Sequence, residues 1–169
     1  MAKRLSLREF QEDLVRRFAE AQTGDRRALL GVRAGRENWL INLTDSGEIL
    51  PVPALSNVPL THDWFRGLAN VRGTLYSVVD LSAFHGGPLT PPGGSARLLL
   101  IGVRHGMNCA ILVSSAIGLR NHDDFQTDPA VDERPWVHSR LRVTRDHLWL
   151  QLVAPKLLAH RSFLQAGLD

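Results

Sequence analysis

Cysteine is almost missing from this chain, which has one, Cys109, among 169 residues. A single cysteine can form neither an intramolecular disulfide nor a cysteine-based zinc framework. Its neighbours Ala110, Ile111 and Leu112 are apolar, which predicts a small core hydrophobe at position 109 and not a nucleophile.

Long apolar runs are also missing. The longest strictly apolar stretch, LLLIGV at residues 98–103, is far shorter than the ~20 residues needed to cross a bilayer. The opening residues, MAKRLSLREF, lack the apolar stretch of a secretory signal. The sequence therefore predicts a cytoplasmic protein that does not insert into a membrane.

Neither sign of charge is in large excess. Twenty Lys and Arg residues stand against 17 Asp and Glu, giving a net charge of +3, and 44% of the residues are hydrophobic. This composition excludes a disordered chain, whose hydrophobicity is low and whose net charge is high. A length of 169 residues fits one ordinary domain or two compact lobes that share a core.

Signatures of catalysis are missing too. The chain contains no G-x-x-x-x-G-K-[ST], G-x-G-x-x-G, H-E-x-x-H or G-x-S-x-G motif. The GGS segment at 93–95 is followed by no lysine, which favours a linker over a phosphate-binding loop. Three adjacent potential ligands, HDD at 122–124, cannot close a coordination shell by themselves and are predicted to form a solvated loop. We expect no catalytic residue, no metal site and no cofactor.

An amphipathic helix is predicted at the N-terminus. Ser6 and Glu9 form an S-x-x-E capping box, and large apolar residues then recur at spacings of three and four, at Leu7, Phe10, Leu14 and Phe18. We expect residues 1–24 to form this helix and residues 25–169 to form the main domain. The helix is predicted to pack on that domain, and binding of its apolar stripe to a partner stays open as an alternative.

Short alternating segments dominate the remainder, which predicts many brief strands. We expect strands at 27–32, 39–43, 67–71, 74–79, 97–103, 107–113, 140–144 and 148–153. Tight connections at 104–106 and 145–147 favour antiparallel sheets or small barrels. Segment 86–94 holds three prolines and four glycines and is predicted to link two strand-rich lobes. Residues 123–135 are predicted to form an exposed loop, and residues 155–166 a terminal helix.

The stretch WFRGLANVRGTLYSVVDLSAFHG at 64–86 is the most informative part of the sequence. Gly67 allows a close approach or a bend beside Trp64, and Gly73 can adopt a positive φ that turns the chain and displays Arg72. Asp80 suits the N-cap of a single helical turn, which Gly86 ends in the left-handed conformation. An arginine held at a rigid turn suits a protein contact or a structural ion pair equally well.

These residues resemble the signature of CheW-like domains, W-x-x-G-x-x-N-x-R-G followed by a P-V-x-D-L-like stretch and a closing glycine. The matching positions are Trp64, Gly67, Asn70, Arg72, Gly73, Val78, Asp80, Leu81 and Gly86. An upstream V-x-E-[IV] motif is matched by Glu48 and Ile49. Two positions depart from the pattern, because Ser46 replaces the valine and Ser77 replaces the proline. The first weakens the carry-over of an apolar partner contact at 46, and the second is expected only to loosen a strand end.

The resemblance implies an all-β fold of two SH3-like five-stranded β-barrel lobes packed together, with a helix at each end. It implies that Glu48 and Arg72 lie close together and that Glu48, Asn70, Arg72 and Gly73 bind partners. Structural roles fall to the other signature positions, Trp64, Gly67, Val78, Asp80, Leu81 and Gly86.

The function implied by the resemblance is that of a non-enzymatic signalling adaptor. It would bind the cytoplasmic tip of a methyl-accepting chemoreceptor and the regulatory domain of a CheA-like histidine kinase, and receptor arrays would recruit it to the inner membrane. Residues 134–137 and the final strand and helix resemble the PilI-like branch, which serves twitching motility by type IV pili.

Nucleic-acid binding is the alternative from another class. The isoelectric point of 9.7 and the predicted small barrels are typical of such proteins, whereas arginines scattered among acids and a single tyrosine are not. A salt titration of binding to a random oligonucleotide separates the two hypotheses, because phosphate-driven affinity falls steeply with salt.

Overall fold

The computed structural model describes residues 11, 12, 15, 28–144 and 147–168. Residues 11, 12 and 15 are helical, and the rest of the predicted N-terminal helix lies outside the described residues. The described strands are β1 (Ala28–Ala34), β2 (Glu37–Asn42), β3 (Ile49–Pro51), β4 (Leu55–Ser56), β5 (Phe65–Val71), β6 (Thr74–Asp80), β7 (Arg97–Leu100), β8 (Cys109–Val113), β9 (Ser115–Asn121), β10 (Gln126–Asp128), β11 (Val137–Arg142) and β12 (Leu148–Leu152).

Three short helices accompany these strands: α1 (Leu81–Phe84), α2 (Ala154–Ala159) and α3 (Arg161–Leu164). Single 3-10 turns occupy Val103–His105 and His122–Asp124. Among the described helices, none has the length and apolar character required to cross a membrane.

The strands form two sheets. Lobe A has the strand order β10-β11-β12-β2-β1-β9, and lobe B has the order β3-β7-β8-β6-β5-β4. In each lobe the two end strands are consecutive in the chain, so one bent strand contributes both ends of the sheet. Each lobe therefore corresponds to a five-stranded barrel in which one strand is counted twice, and the predicted pair of SH3-like lobes is confirmed. Pro53 lies in the bend of lobe B, where its missing N–H interrupts the ladder.

The chain does not complete one lobe before it begins the other. Strands β1 and β2 belong to lobe A, residues 43–48 lead to lobe B, and Ser114 leads from β8 back to β9 in lobe A. Segment 86–94 connects β6 to β7 inside lobe B, so the prediction that it links the two lobes is wrong. Its prolines and glycines exclude regular structure, but that composition does not distinguish a loop within a barrel from a connection between barrels.

The two lobes share one topology. Each contains a parallel pair, β6 with β8 in lobe B and β12 with β2 in lobe A, and a helix follows β6 and β12 alike. Corresponding elements lie roughly 70 residues apart, as Thr74 and Leu148 at the starts of β6 and β12 illustrate. The fold is thus a duplication in which hairpin β1–β2 completes lobe A and hairpin β7–β8 completes lobe B.

Three apolar clusters hold this arrangement together. The largest lies between the lobes and includes Trp39 and Leu99; a second fills lobe B around Leu98 and Leu112. The third fills lobe A around Trp149. Because side chains alternate along a strand, successive residues of β7 and β8 point into different clusters. Both faces of these strands are buried, which explains their nearly continuous apolar sequence.

The structure confirms the prediction for Cys109 and differs from those for the terminal helix and for loop 123–135. Cys109 is buried as predicted, and burial raises the pKa of its thiol to about 12. The predicted terminal helix is interrupted at His160, whose ψ of 136° is extended, and Leu164 is 56% exposed instead of packed. The predicted loop 123–135 contains strand β10 and the buried Phe125. Part of the predicted connection 145–147 lies outside the described residues.

Candidate functional site

The candidate site is the turn between β5 and β6. Val71 pairs with Thr74, so Arg72 and Gly73 form a two-residue loop, and both have positive φ, +50° and +84°. This is the pattern of a type I′ turn, whose twist matches that of the flanking strands. The backbone N–H of Gly73 donates to Oδ1 of Asn70 at 2.9 Å. Asn70 therefore fixes the turn that presents Arg72.

Arg72 makes the contact with Glu48 that the resemblance implies. Its Nη1 donates to Oε1 of Glu48 at 2.8 Å, and its Nη2 donates to Oε2. Hydrogen bonding to Arg72 lowers the pKa of Glu48, and the same bonding raises the pKa of Arg72. The Arg72 side chain is 70% exposed, so solvent screens the attraction and the pair adds little to stability. Its two-pronged geometry instead orients the guanidinium.

The backbone around Glu48 is anchored to strand β7. The N–H of Gly47 donates to the carbonyl of Leu100 at 2.8 Å, and the N–H of Leu100 donates to the carbonyl of Glu48 at 3.0 Å. A Cβ at Gly47 would lie 2.5 Å from the Leu100 oxygen, so only glycine fits there. Ser46, where the signature has valine, is 5% exposed.

The remaining signature positions support this hairpin. Val78 and Leu81 are fully buried, and Trp64 stacks on His62 and meets Phe84 edge to face. Gly67 has a φ of +111°, and a Cβ there would lie 2.1 Å from the Ser56 oxygen, which confirms the predicted close approach.

Ser77 also behaves differently from the expectation. It lies within β6 and not at a strand end, and its N–H donates to the carbonyl of Asn108 at 2.9 Å. Proline has no N–H to donate, so serine adds a hydrogen bond here and does not loosen the strand.

Asp80 does more than cap a helix. Its fully buried carboxylate accepts the expected capping bond from the Ala83 N–H at 3.3 Å. It also accepts bonds from Arg66 Nη1 at 2.9 Å, from the Thr90 N–H at 2.7 Å and from the Thr90 hydroxyl at 2.9 Å. The network fixes segment 86–94 to α1 and β5. Gly86, which follows the C-cap residue His85, has a φ of +78°, the left-handed conformation that the sequence predicts.

A second polar cluster lies where α1 meets residues 132–136. The ring of His85 stacks on that of Trp39 and lies 5.7 Å from that of Trp136, whose Nε1 donates to Nε2 of His85 at 3.0 Å. Burial lowers the pKa of His85 to about 4, and the positive charge of Arg134 acts in the same direction. The guanidinium carbon of Arg134 lies over the Trp39 ring, 5.1 Å from its centroid. His85 is therefore neutral at physiological pH.

Arg134 is the hub of an ion-pair network in this cluster. It donates to both carboxylate oxygens of Glu37, at 3.0 and 2.8 Å, and to both of Asp132. Hydrogen bonding to Arg134 lowers the pKa of Asp132 to about 2. Residues 134–137 stand out in the sequence only by resemblance, and no local pattern connects them with Glu37 or His85, whose contacts span 97 and 51 residues.

The polar side chains at these places form hydrogen bonds and ion pairs with one another. In the ranges 28–144 and 147–168, no three His, Cys, Asp or Glu side chains are grouped so as to hold a metal ion. The HDD segment forms an exposed 3-10 turn capped by Asn121. Of the predicted partner-binding residues, the structure brings Glu48, Asn70, Arg72 and Gly73 together at one turn.

Comparison with known proteins identifies relatives that match most of the chain. A model of the CheW-like domain matches residues 28–162. Protein PilI of Pseudomonas aeruginosa is 28% identical over 144 residues, which cover 82% of this chain and 79% of that protein. The crystal structure of the scaffolding protein TtCheW from Thermoanaerobacter tengcongensis is similar in fold, with a TM-score of 0.67 at 15% identity, over 82% of this chain and 96% of that one.

Proposed function

This chain belongs to the family of CheW-like domains, and from that membership we propose that it is a signalling adaptor that acts by binding and not by catalysis. The adaptor couples a methyl-accepting chemoreceptor to a CheA-type histidine kinase. The observation that carries this proposal is the Arg72 turn, where a type I′ hairpin and Glu48 hold a largely exposed guanidinium in one orientation.

The Arg72 turn suits recognition for a physical reason. Arginine is enriched among the residues that dominate protein interfaces, and a pre-oriented side chain loses less entropy on binding than a free one. Glu48, Asn70 and Gly73 hold Arg72 at the turn, so a partner meets a rigid surface. The receptor tip is the ligand we assign to this turn, and the regulatory domain of the kinase binds edges of the lobes.

Coupling requires more than simultaneous binding. The adaptor transmits a signal only if it binds the active and inactive arrangements of the kinase with different free energies. The similarity to PilI supports assignment to the system that controls twitching motility by type IV pili, with the adaptor recruited to receptor arrays at the inner membrane.

Charge reversal at the turn tests the proposal. We expect Arg72→Glu to remain folded, because the Glu48 pair adds little stability, and to lose at least tenfold in affinity for the receptor cytoplasmic fragment. Arg36→Glu is the matched control, since Arg36 is an exposed arginine in the two-residue turn of β1–β2. Binding is measured by co-sedimentation with purified receptor fragment and kinase.

The double variant Glu48→Arg with Arg72→Glu distinguishes the orientation of the side chain at position 72 from its charge. It should restore the packing of the turn without restoring receptor binding. If Arg72→Glu binds the receptor as tightly as the unmodified chain does, the role given to this turn is wrong. If the unmodified chain binds neither receptor nor kinase, the adaptor function itself is wrong.

A further inference from the structure

Glu48 approaches Arg72 from a segment that has no regular secondary structure. Residues 43–48 run from the end of β2 in lobe A to the start of β3 in lobe B, and we call them the connector. Glu48 is the last residue of the connector and accepts the two hydrogen bonds that orient the Arg72 guanidinium. The direction in which Arg72 points therefore depends on the path of the connector.

Backbone hydrogen bonds attach the two ends of the connector to different lobes. At the first end, the N–H groups of Asp45 and Ser46 donate to the carbonyl of Asn42, the last residue of β2, at 2.9 and 3.1 Å. At the second end, the carbonyl of Glu48 accepts a bond from Leu100 of β7. These bonds hold each end to its own lobe, and none of them joins the first end to lobe B.

Two side chains of lobe B bind the first end of the connector. They belong to the 3-10 turn Val103–His105, between β7 and β8. Nη1 of Arg104 donates to the carbonyl of Thr44 at 3.0 Å, and Nε2 of His105 lies 3.2 Å from Oδ1 of Asp45. Because a carboxylate oxygen only accepts, Nε2 is the donor in this second bond. We call Arg104 and His105 the clamp, since they join the lobe A end of the connector to lobe B.

The clamp is built on a well-defined turn. The N–H groups of His105 and Met107 both donate to the carbonyl of Gly102, each at 2.9 Å. The turn follows directly on β7, the strand that also bonds with the backbone of Glu48. The sequence predicts a tight connection at 104–106, and the structure shows that two side chains of this connection reach across 60 residues to the connector.

The clamp lies close to the pair that it supports. Asp45 and Glu48 are three residues apart, so their Cα atoms are separated by at most about 11 Å. The side chains of His105 and Asp45 are 26% and 14% exposed, whereas those of Arg72 and Glu48 are 70% and 40% exposed. A partly buried pair is screened less by salt than an exposed one. The better protected contact therefore holds the segment from which the more exposed one is made.

We propose that Arg104 and His105 are positioning residues for receptor recognition, which hold the connector so that Glu48 keeps Arg72 in its binding orientation. This inference rests on the function proposed above. The clamp acts through the connector and does not itself touch the receptor. Without it the connector varies in path and the guanidinium in direction, so a partner that binds Arg72 must first restrict the motion of that side chain, which lowers affinity.

A double-mutant cycle on the full chain tests the proposal. Arg104→Ala with His105→Ala should weaken binding of the receptor cytoplasmic fragment about three- to tenfold, the cost of ordering one long side chain. In an Arg72→Ala background the same two substitutions should have no further effect, because no guanidinium is left to orient. Equal losses in both backgrounds would show that the clamp touches the receptor or supports the fold in general, and would overturn the proposal.

Two further variants serve as rescue and control. Arg104→Lys with His105→Gln keeps a hydrogen-bond donor at each position and should bind the receptor fragment within about twofold of the unmodified chain. Arg97→Ala removes a comparable bond, from Nη1 of Arg97 to the carbonyl of Gly94 at 3.0 Å, at the other end of β7, and should not change receptor binding. If the conservative pair binds as weakly as the alanine pair, the positioning role is wrong.

The pKa of Glu48 gives a readout that needs no receptor. Hydrogen bonding to Arg72 lowers this pKa, so a looser pair should raise it toward its ordinary value, as followed by carbon-13 NMR of the carboxyl groups. The alanine pair should raise the pKa of Glu48 more when Arg72 is present than in the Arg72→Ala background, since the removal of charge acts in both. An equal rise in both overturns the proposal. If the unmodified chain binds no receptor, the adaptor function is wrong, and this titration still decides whether the clamp holds the ion pair.

Discussion

The structural roles of single residues in this protein depend on backbone geometry as much as on side-chain chemistry. Gly67 and Gly73 both have positive φ, but their surroundings differ. A Cβ at Gly67 would lie 2.1 Å from the oxygen of Ser56, whereas one at Gly73 would meet nothing within 4 Å. The signature glycines therefore have two different roles, close approach of backbone at 67 and a turn conformation at 73.

This difference predicts that a glycine-to-alanine substitution lowers the free energy of unfolding by different amounts at the two positions. Gly73→Ala should lower the free energy of unfolding by about 1 kcal/mol, the usual cost of a left-handed alanine. Gly67→Ala adds a steric clash with backbone and should cost about 3 kcal/mol or more. Urea denaturation of both variants measures the contrast, and equal losses would show that the close approach at Ser56 relaxes freely.

Residue-level roles were predictable where they depend on local sequence. The dipeptide at 72–73 indicated its turn, and Asp80 indicated its cap, because both act within a few residues. The partners Arg66 and Thr90 of Asp80 were not predicted, since they come from 14 and 10 residues away and only the folded chain brings them together.

At the scale of elements, helix α1 is joined to the segment at 132–136 by the stacked rings of Trp39, His85 and Trp136. The hydrogen bond from Trp136 requires an unprotonated Nε2 on His85. A proton on His85 would remove that acceptor and place a second cation near Arg134. The junction is therefore stable only while His85 is neutral.

Stability should consequently fall as the medium becomes acidic. The unfolded chain binds a proton at His85 below about pH 6.5, and the folded chain does so only below about pH 4. Between these values the unfolded state holds more protons, so the contribution of His85 is complete above pH 6.5 and is lost on the way to pH 4. The loss is about 3 kcal/mol.

His85→Phe is the variant that isolates this dependence. It keeps an aromatic ring in the stack but has no titratable group, so its unfolding free energy should vary less between about pH 7 and pH 4.5. Measurements stop there because the contribution of Asp132 is lost at lower pH, as its carboxylate takes up a proton between its ordinary pKa and about 2. Equal slopes for both proteins would exclude His85 as the source.

Elements differ in how well sequence predicts them, and burial explains the difference. Strands β7 and β8 face a core on both sides and have nearly continuous apolar sequence, so they were predicted, although β7 ends at Leu100, earlier than expected. Strand β9 was not predicted, because it is half exposed and Gly118 interrupts its apolar residues. Strands β3 and β4 have three and two residues, which is too few to show an alternation of apolar and polar residues.

For the whole molecule, the cluster between the lobes determines how the protein unfolds. It contains residues from both lobes, and the strands of lobe A come from both sides of lobe B in the chain. Neither lobe can lose its structure without exposing apolar surface of the other. The similarity of the two lobes was not visible in the sequence, because it is preserved in the order of strands and not in residue identity.

We therefore expect one cooperative transition. Far-UV circular dichroism and tryptophan fluorescence should give coincident urea curves. Trp149 reports on the cluster of lobe A, and Trp39, Trp64 and Trp136 report on the cluster between the lobes. Leu99→Ala, in the shared cluster, should lower the free energy of unfolding by about 2–5 kcal/mol and keep a single transition. Leu75→Ala, at an exposed position, should change it by less than about 0.5 kcal/mol. Two separate transitions would show that the lobes are independent.

The path of the chain through the lobes also sets an order of events during synthesis. Lobe B is continuous from β3 to β8, so all its strands leave the ribosome together. Hairpin β1–β2 leaves first, yet its parallel partner for Ile41 is Leu152, which is translated on the order of 10 s later. The first strands to be made are thus the last to be fully paired, and during that interval their apolar edges depend on lobe B or on a chaperone for protection.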